Sequence, residues 1–225
     1  MNMNLIKLSY DLQVNSPVHV DLNKPEIKHN NFISVEGYNS FIINVENHCG
    51  THVDAPAHFL EEGKLISEYS PEELTFKNPL VLDIPKDGNE LIEIQDIEEL
   101  NLFNVDMLIF KTGFEKFRDV DVDKYLIKNP GVTPDAVKWI RENFPNIRCL
   151  GIDCVSMSGY KHPELGREAH VNAFIESNDL GVPLLLIEDL KLSEIKNRSI
   201  KKILVVPWQI KGIDSAPCSI LAWVK

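Results

Sequence analysis

The chain has 225 residues, 44% of them hydrophobic, and a formal net charge of −11. That length and apolar content suit one substantial core, so a single domain over residues 1–225 is expected. No cluster of Lys and Arg offers phosphates a surface, which disfavours nucleic-acid partners, and no run of about 18 uninterrupted apolar residues suggests a membrane span.

The opening stretch, "MNMNLIKLSYDLQ", breaks its apolar run with Lys7, Ser9 and Asp11 and does not read as a secretion signal. A cytoplasmic location is the matching expectation. The four cysteines, Cys49, Cys149, Cys154 and Cys218, form no C-x-x-C pair and are expected as reduced, buried thiols.

In chain order, "FIINV" (41–45) has the length and β-branched content of a buried strand. "SPEELTF" (70–76) predicts a helix, with Ser70 as N-cap and Pro71 at the first helical position. "PLVLDI" (79–84) and "MLIF" (107–110) read as further buried strands. "TPDAVKWIREN" (133–143) repeats the capping device with Thr133 and Pro134, and Ala136, Trp139 and Ile140 form an apolar stripe. After a strand at "RCLGID" (148–153), a third helix is expected over 167–178, ended near Asn178 and Gly181. A strand at "PLLLIED" (183–189), a short turn or helix at "IEDLKLSEI" (187–195) and a strand at "KILVVP" (202–207) complete the series. Strands mixed with helices in this way imply an α/β protein with one continuous core.

The segment "NHCGTHVDAPAHF" (47–59) concentrates more potential chemistry than any other, with three His and one Asp within eleven residues. In an extended chain alternate side chains share a face, so His48, His52 and Asp54 lie together with Gly50 between them, and Cys49, Thr51 and Val53 face the other way. The four-residue interval between His48 and His52 also suits one turn of helix. In either geometry two imidazoles and a carboxylate can converge on one point, a donor set suited to Zn²⁺, Mn²⁺ or Fe²⁺ with room for water.

"HCGTHVDAPAHF" resembles the H-x-G-T-H-x-D-x-P-x-H signature of the cyclase family of metal-dependent hydrolases, which includes bacterial kynurenine formamidase and isatin hydrolase. Weaker similarities follow in the family's order at "IFKTGFEK", "LGIDCVSMS" and "HVNAFIESNDLGVPLLLIEDL". The resemblance implies a compact mixed β-sheet core with surrounding helices, often called a swivelling β/β/α fold, and a homodimer or homotetramer. It implies two divalent metal ions, Zn or Mn. His48, His52 and Asp54 would hold one, with Asp54 reaching the second. His170 would match the later histidine, and Glu188 the strand-terminal glutamate that bridges both metals, with Glu176 as its competitor. His58 would match the proton-transferring histidine.

Other chemistries find less support. There is no G-x-S-x-G elbow around Ser156 or Ser158, no phosphate loop at "TGFEK" and no G-x-G-x-x-G. Cys49 sits among the histidines but has the parity of the apolar face. The expected reaction is hydrolysis of a small amide or formamide, N-formylkynurenine being one possibility, with a cyclic amide such as isatin or a non-catalytic binding role as alternatives. His19, in "SPVHVD", stands where kynurenine formamidases resemble "PVWPG" and place a Trp on the substrate pocket. Phe32, Phe59 and Phe114 are the apolar residues available for pocket walls.

Overall fold

A computed structural model describes residues 3–225. The strands are β1 (Asn4–Lys7), β2 (Glu26–Asn31), β3 (Ser40–Asn44), β4 (His52–Asp54), β5 (Thr75–Phe76), β6 (Pro79–Asp83), β7 (Leu91–Ile92), β8 (Met107–Lys111), β9 (Gly131–Val132), β10 (Cys149–Ile152), β11 (Leu185–Glu188), β12 (Ile200–Pro207) and β13 (Ser215–Val224). The helices are α1 (Ile33–Glu36), α2 (Val122–Ile127), α3 (Pro134–Asn143) and α4 (Pro163–Phe174), with short 3₁₀ turns between elements.

Nine strands form one mixed sheet in the order β5-β12-β13-β4-β11-β10-β8-β6, with β1 also paired to β13. Strands β6, β8, β10 and β11 are parallel to one another, while β4 runs antiparallel to both β11 and β13. The inner parallel strands β8, β10 and β11 are apolar on both sides because both sides are covered, whereas β6 at the sheet's edge is only partly buried. Leu108, Phe110, Leu150, Ile152 and Leu186 join Ile140 of α3 and Ala169 and Phe174 of α4 in one cluster. Their alternates Met107, Ile109, Cys149, Leu185 and Ile187 pack on the opposite face with Leu8, Val53, Ile203 and Ala222.

Five expected strands fall on β6, β8, β10, β11 and β12, and the capped helix is α3, where Thr133 Oγ1 accepts from Ala136 N at 3.2 Å. The turn expected after β11 is a 3₁₀ turn at Leu192–Ile195, and all four cysteines are free and buried.

Several expectations change. "FIINV" is a strand, β3, but pairs only with β2 in a separate hairpin whose apolar residues are exposed. At "SPEELTF" the cap forms, with Ser70 Oγ accepting from Glu73 N and Glu73 Oε2 accepting from Ser70 N. The single turn then passes directly into β5, because Thr75 and Phe76 are claimed by pairing with β12. The helix expected over 167–178 is α4, shifted toward the N-terminus: Pro163 starts it and Ile175 leaves helical geometry. Strand β13 gives no clear signal in the sequence, because Pro217 and polar neighbours interrupt its first half.

Candidate metal centre

Strand β4 lies between β11 and β13, with Asp54 opposite Leu186 on one side and Ser215 on the other. Its alternation sends Val53 into the core and keeps His52 and Asp54 together on the other face. His48 reaches the same place from the preceding turn. That turn depends on Gly50, whose φ of +66° favours a residue without Cβ. Glu188 ends β11 directly opposite His52, and His170 enters from α4.

The result is a line of alternating carboxylates and imidazoles. Asp214 Oδ2 lies 2.9 Å from His48 Nε2, and His48 Nδ1 lies 3.0 Å from Asp54 Oδ1. His52 Nε2 is 3.4 Å from both Asp54 Oδ1 and Glu188 Oε2, and His170 Nε2 is 3.5 Å from Glu188 Oε1. His58 branches from Asp214 through Nδ1 at 2.9 Å.

Among the described residues neither His52 Nε2 nor Asp54 Oδ1, both fully buried, makes a hydrogen bond of good geometry, although His48 Nδ1 stands 3.0 Å from the carboxylate oxygen. Buried polar atoms left without a well-formed bond are costly, and a proton shared with the carboxylates or a cation among the donors would offset that cost. The donor set of imidazole nitrogen and carboxylate oxygen is one that a metal ion would fit. Two overlapping groups of closely spaced donors, His48/Asp54/His58 and His52/Asp54/Glu188, share Asp54.

Electrostatics point the same way. Burial disfavours charge on His48, but its hydrogen bond to Asp214 and the neighbouring Asp54 carboxylate raise its imidazole to about 10. His52 and His170 are raised against burial by Asp54 and Glu188. Burial opposes charge on Glu188 too, yet His170 and His52 hold it well below the usual carboxylate range. The carboxylates thus maintain a field that favours positive charge at the site.

Backbone and hydroxyl groups fix these side chains. His52 Nδ1 meets Gly50 O at 2.8 Å, and His170 Nδ1 meets Gly166 O at 2.8 Å. Gly166 is confined as well, since a Cβ there would lie 2.2 Å from Ser158 Oγ. Met157 N and Ser156 Oγ both donate to Glu188 Oε1, at 2.6 and 3.1 Å. The next residue, Asp189, has a φ of +54° and is gripped by Arg118 Nε and NH2 at 2.7 Å each and by Tyr125 OH at 2.5 Å. This buried clamp sets the turn that leaves Glu188 facing the site.

All six residues singled out from the sequence meet in one place: His48, His52, Asp54, His58, His170 and Glu188 line a single cavity of about 750 Å³. Glu176 is exposed, past the end of α4, and lines a different cavity. His170 is buried within α4, although as an isolated residue it resembles a helix-end surface histidine. His19 and Phe59 line the cavity, Phe114 is core, and Phe32 sits on the exposed hairpin. Burial pushes the Cys49 thiol up to about 12, which removes it as a nucleophile at neutral pH. Asp214 escaped the sequence reading. It lies over 150 residues beyond the histidine cluster, and "GIDSAP" carries no recognisable spacing to it.

The chain is similar to several known proteins. Isatin hydrolase A from Labrenzia aggregata superposes with a TM-score of 0.82 at 20% identity, covering 99% of this chain and 94% of that one, a likeness of fold. An uncharacterized protein of Haemophilus influenzae is 35% identical over 117 residues, 51% of this chain and 82% of its own. Kynurenine formamidase of Bacillus cereus is 25% identical over 171 residues, 76% of this chain and 73% of its own. Cyclase-like protein 1 of Oryza sativa is 29% identical over 193 residues, but the chain spans only 63% of that protein's length. Residues 6–158 match the family described as "Putative cyclase", and the chain therefore belongs to the Cyclase family.

Proposed function

We propose that this protein is a metal-dependent hydrolase that cleaves a small amide or formamide, N-formylkynurenine being the first substrate to test. The observation that carries the reading is the convergence of buried His52 Nε2 and Asp54 Oδ1, neither making a well-formed hydrogen bond among the described residues, within a line of carboxylates and imidazoles that opens on a cavity. His48, His52 and Asp54 would hold one divalent metal, and His170 and Glu188 together with Asp54 a second, with Zn or Mn suited to the donors. Bound there, such a cation supplies Lewis acidity, which makes water nucleophilic near neutral pH and polarises a carbonyl.

The chain's own groups do the rest. His58 stands at the cavity beside His48, with ring centroids 4.0 Å apart, and is held through Nδ1, so Nε2 is free to take a proton from water and return it to the leaving amine. Phe59 and Val155 give the cavity apolar wall, while Ser156, Ser158 and His19 offer polar contacts to a substrate. Shielding by these walls strengthens each charge interaction inside. The exposed apolar residues of the β2-β3 hairpin support the homodimer or homotetramer that is part of this proposal.

The experiment is hydrolysis of N-formylkynurenine, formanilide and isatin by protein loaded with Zn or Mn, beside His48→Ala and Asp54→Ala. Turnover by the wild type and its loss in both variants is expected. Unchanged turnover in either variant would remove the proposed centre from the reaction.

A further inference from the structure

Each of the four site imidazoles has one ring nitrogen tied off, and the ties are of two kinds. His52 and His170 use backbone carbonyls, Gly50 O and Gly166 O. His48 and His58 share one carboxylate oxygen, Asp214 Oδ2, at 2.9 Å each. Asp214 is held in turn: its Oδ1 accepts from Asn47 Nδ2 at 2.8 Å, its carbonyl accepts from Ala55 N at 2.9 Å, and the adjacent Ser215 Oγ donates to Asn47 O.

We propose that Asp214 is the positioning residue that selects which nitrogen of His48 and of His58 faces the site. This rests on the reading of the site as a metal centre. With its Nε2 proton directed at Asp214, His48 turns Nδ1 toward Asp54, where a cation would be held. With its Nδ1 proton directed at the same oxygen, His58 turns Nε2 to the cavity as a proton acceptor. One carboxylate thereby orients a metal-binding imidazole and a proton-moving imidazole together. An outer carboxylate of this kind fixes the tautomer and raises the basicity of the ligand it holds.

The donor count explains why Asp is required. Three N–H groups converge on it, two on Oδ2 and one on Oδ1, and only a group that accepts at both oxygens satisfies all three. Asn at position 214 must aim its NH₂ either at the Asn47 NH₂ or at both imidazole N–H groups. Adding Asn47→Asp removes that conflict: the new carboxylate accepts from the amide at 214, whose oxygen can then face the histidines.

The test uses the full chain labelled with ¹⁵N, the imidazole ¹⁵N shifts, and calorimetric titration of metal-free protein with Zn²⁺. In the wild type, His58 in its neutral form is expected protonated at Nδ1, and on Zn loading His48 is expected to bind through Nδ1 and keep its Nε2 proton. Asp214→Asn is expected to weaken Zn²⁺ binding by about ten- to a hundred-fold and to leave His58 in mixed tautomers, with the Asn47→Asp/Asp214→Asn pair recovering most of both. Wild-type His58 protonated at Nε2 would overturn the proposal with no variant needed. So would a folded Asp214→Asn protein with unchanged affinity and tautomer, or a folded double variant no better than the single one. If wild-type protein takes up no Zn²⁺, the metal-centre reading fails separately, and the His58 tautomer in metal-free protein still decides whether Asp214 sets it.

Discussion

Strands β3 and β4 lie within fifteen residues of each other and are exposed in the reverse order of their hydropathy. Phe41, Ile42 and Ile43 of β3 are 55%, 55% and 54% exposed, while His52 and Asp54 of β4 are 2% and 1% exposed. Chain-level apolar content does not decide which is inside. β4 is buried because β11 and β13 pair with it on both sides and because its polar atoms meet oppositely charged neighbours. Among the described residues β3 has only β2 beside it, and both faces of that hairpin are left without cover. In the proposed reading the contrast separates two uses of an unfavourable placement: the buried polar atoms would take a cation, and the exposed apolar side chains would take a second copy of the chain.

The sharpest way to break the buried half of this comparison is Asp54→Ala. It removes the carboxylate shared by both donor groups, so metal should be lost together with turnover, measured by elemental analysis beside the hydrolysis assay. His58→Ala should be milder, lowering kcat by about 10²–10⁴-fold while bound metal stays at the wild-type level. If both variants lost metal equally, His58 would be a ligand and not the proton carrier.

Arg118→Met tests the clamp behind Glu188. It leaves Asp189 buried and uncompensated in a left-handed backbone conformation, so denaturant unfolding should show a loss of about 3–5 kcal/mol. A loss near zero would mean that Tyr125 alone holds the turn.

A pH series sharpens the electrostatic part. His48 is raised to about 10 in the folded, metal-free protein against roughly 6.5 when unfolded. A raised imidazole contributes stability that is full below the unfolded value and is lost as pH rises through the folded one. The melting temperature of metal-free protein should therefore fall between about pH 6.5 and 10, and saturating Zn²⁺, which requires the neutral imidazole, should remove that fall.

The smallest effect on stability belongs to the hairpin. Ile43→Glu should change the unfolding free energy by no more than about 0.5 kcal/mol, since the side chain is already exposed. If the proposed homo-oligomer forms through this hairpin, sedimentation should nevertheless shift toward the monomer. An unchanged sedimentation coefficient would leave the apolar hairpin needing another partner.

How much of this was legible in the sequence follows from the same physics. The parallel strands β8, β10 and β11 announce themselves as apolar runs because both faces are covered; β6 shows the same kind of run but lies half-exposed at the sheet's edge. His48, His52, Asp54 and His58 stand out because they are close in sequence. Glu188 and His170 needed the family resemblance, since pairing of β11 with β4 and insertion of α4 bring them in from far along the chain. Asp214 was beyond reach for the same reason, its position depending on β13, a strand whose own pattern is broken by Pro217. The exposure of β3 could not be read from "FIINV" at all, because a run of apolar residues does not say whether a second layer will cover it.

The central claim is that the line of carboxylates and imidazoles from Asp214 to His170 exists to hold metal. Its most direct test is elemental analysis of protein purified without chelator or affinity nickel, before and after incubation with Zn²⁺ or Mn²⁺, alongside Asp54→Ala. About two equivalents per chain, falling sharply in the variant, are expected of a two-metal site. No metal in the wild type, and none regained on incubation, would contradict the account.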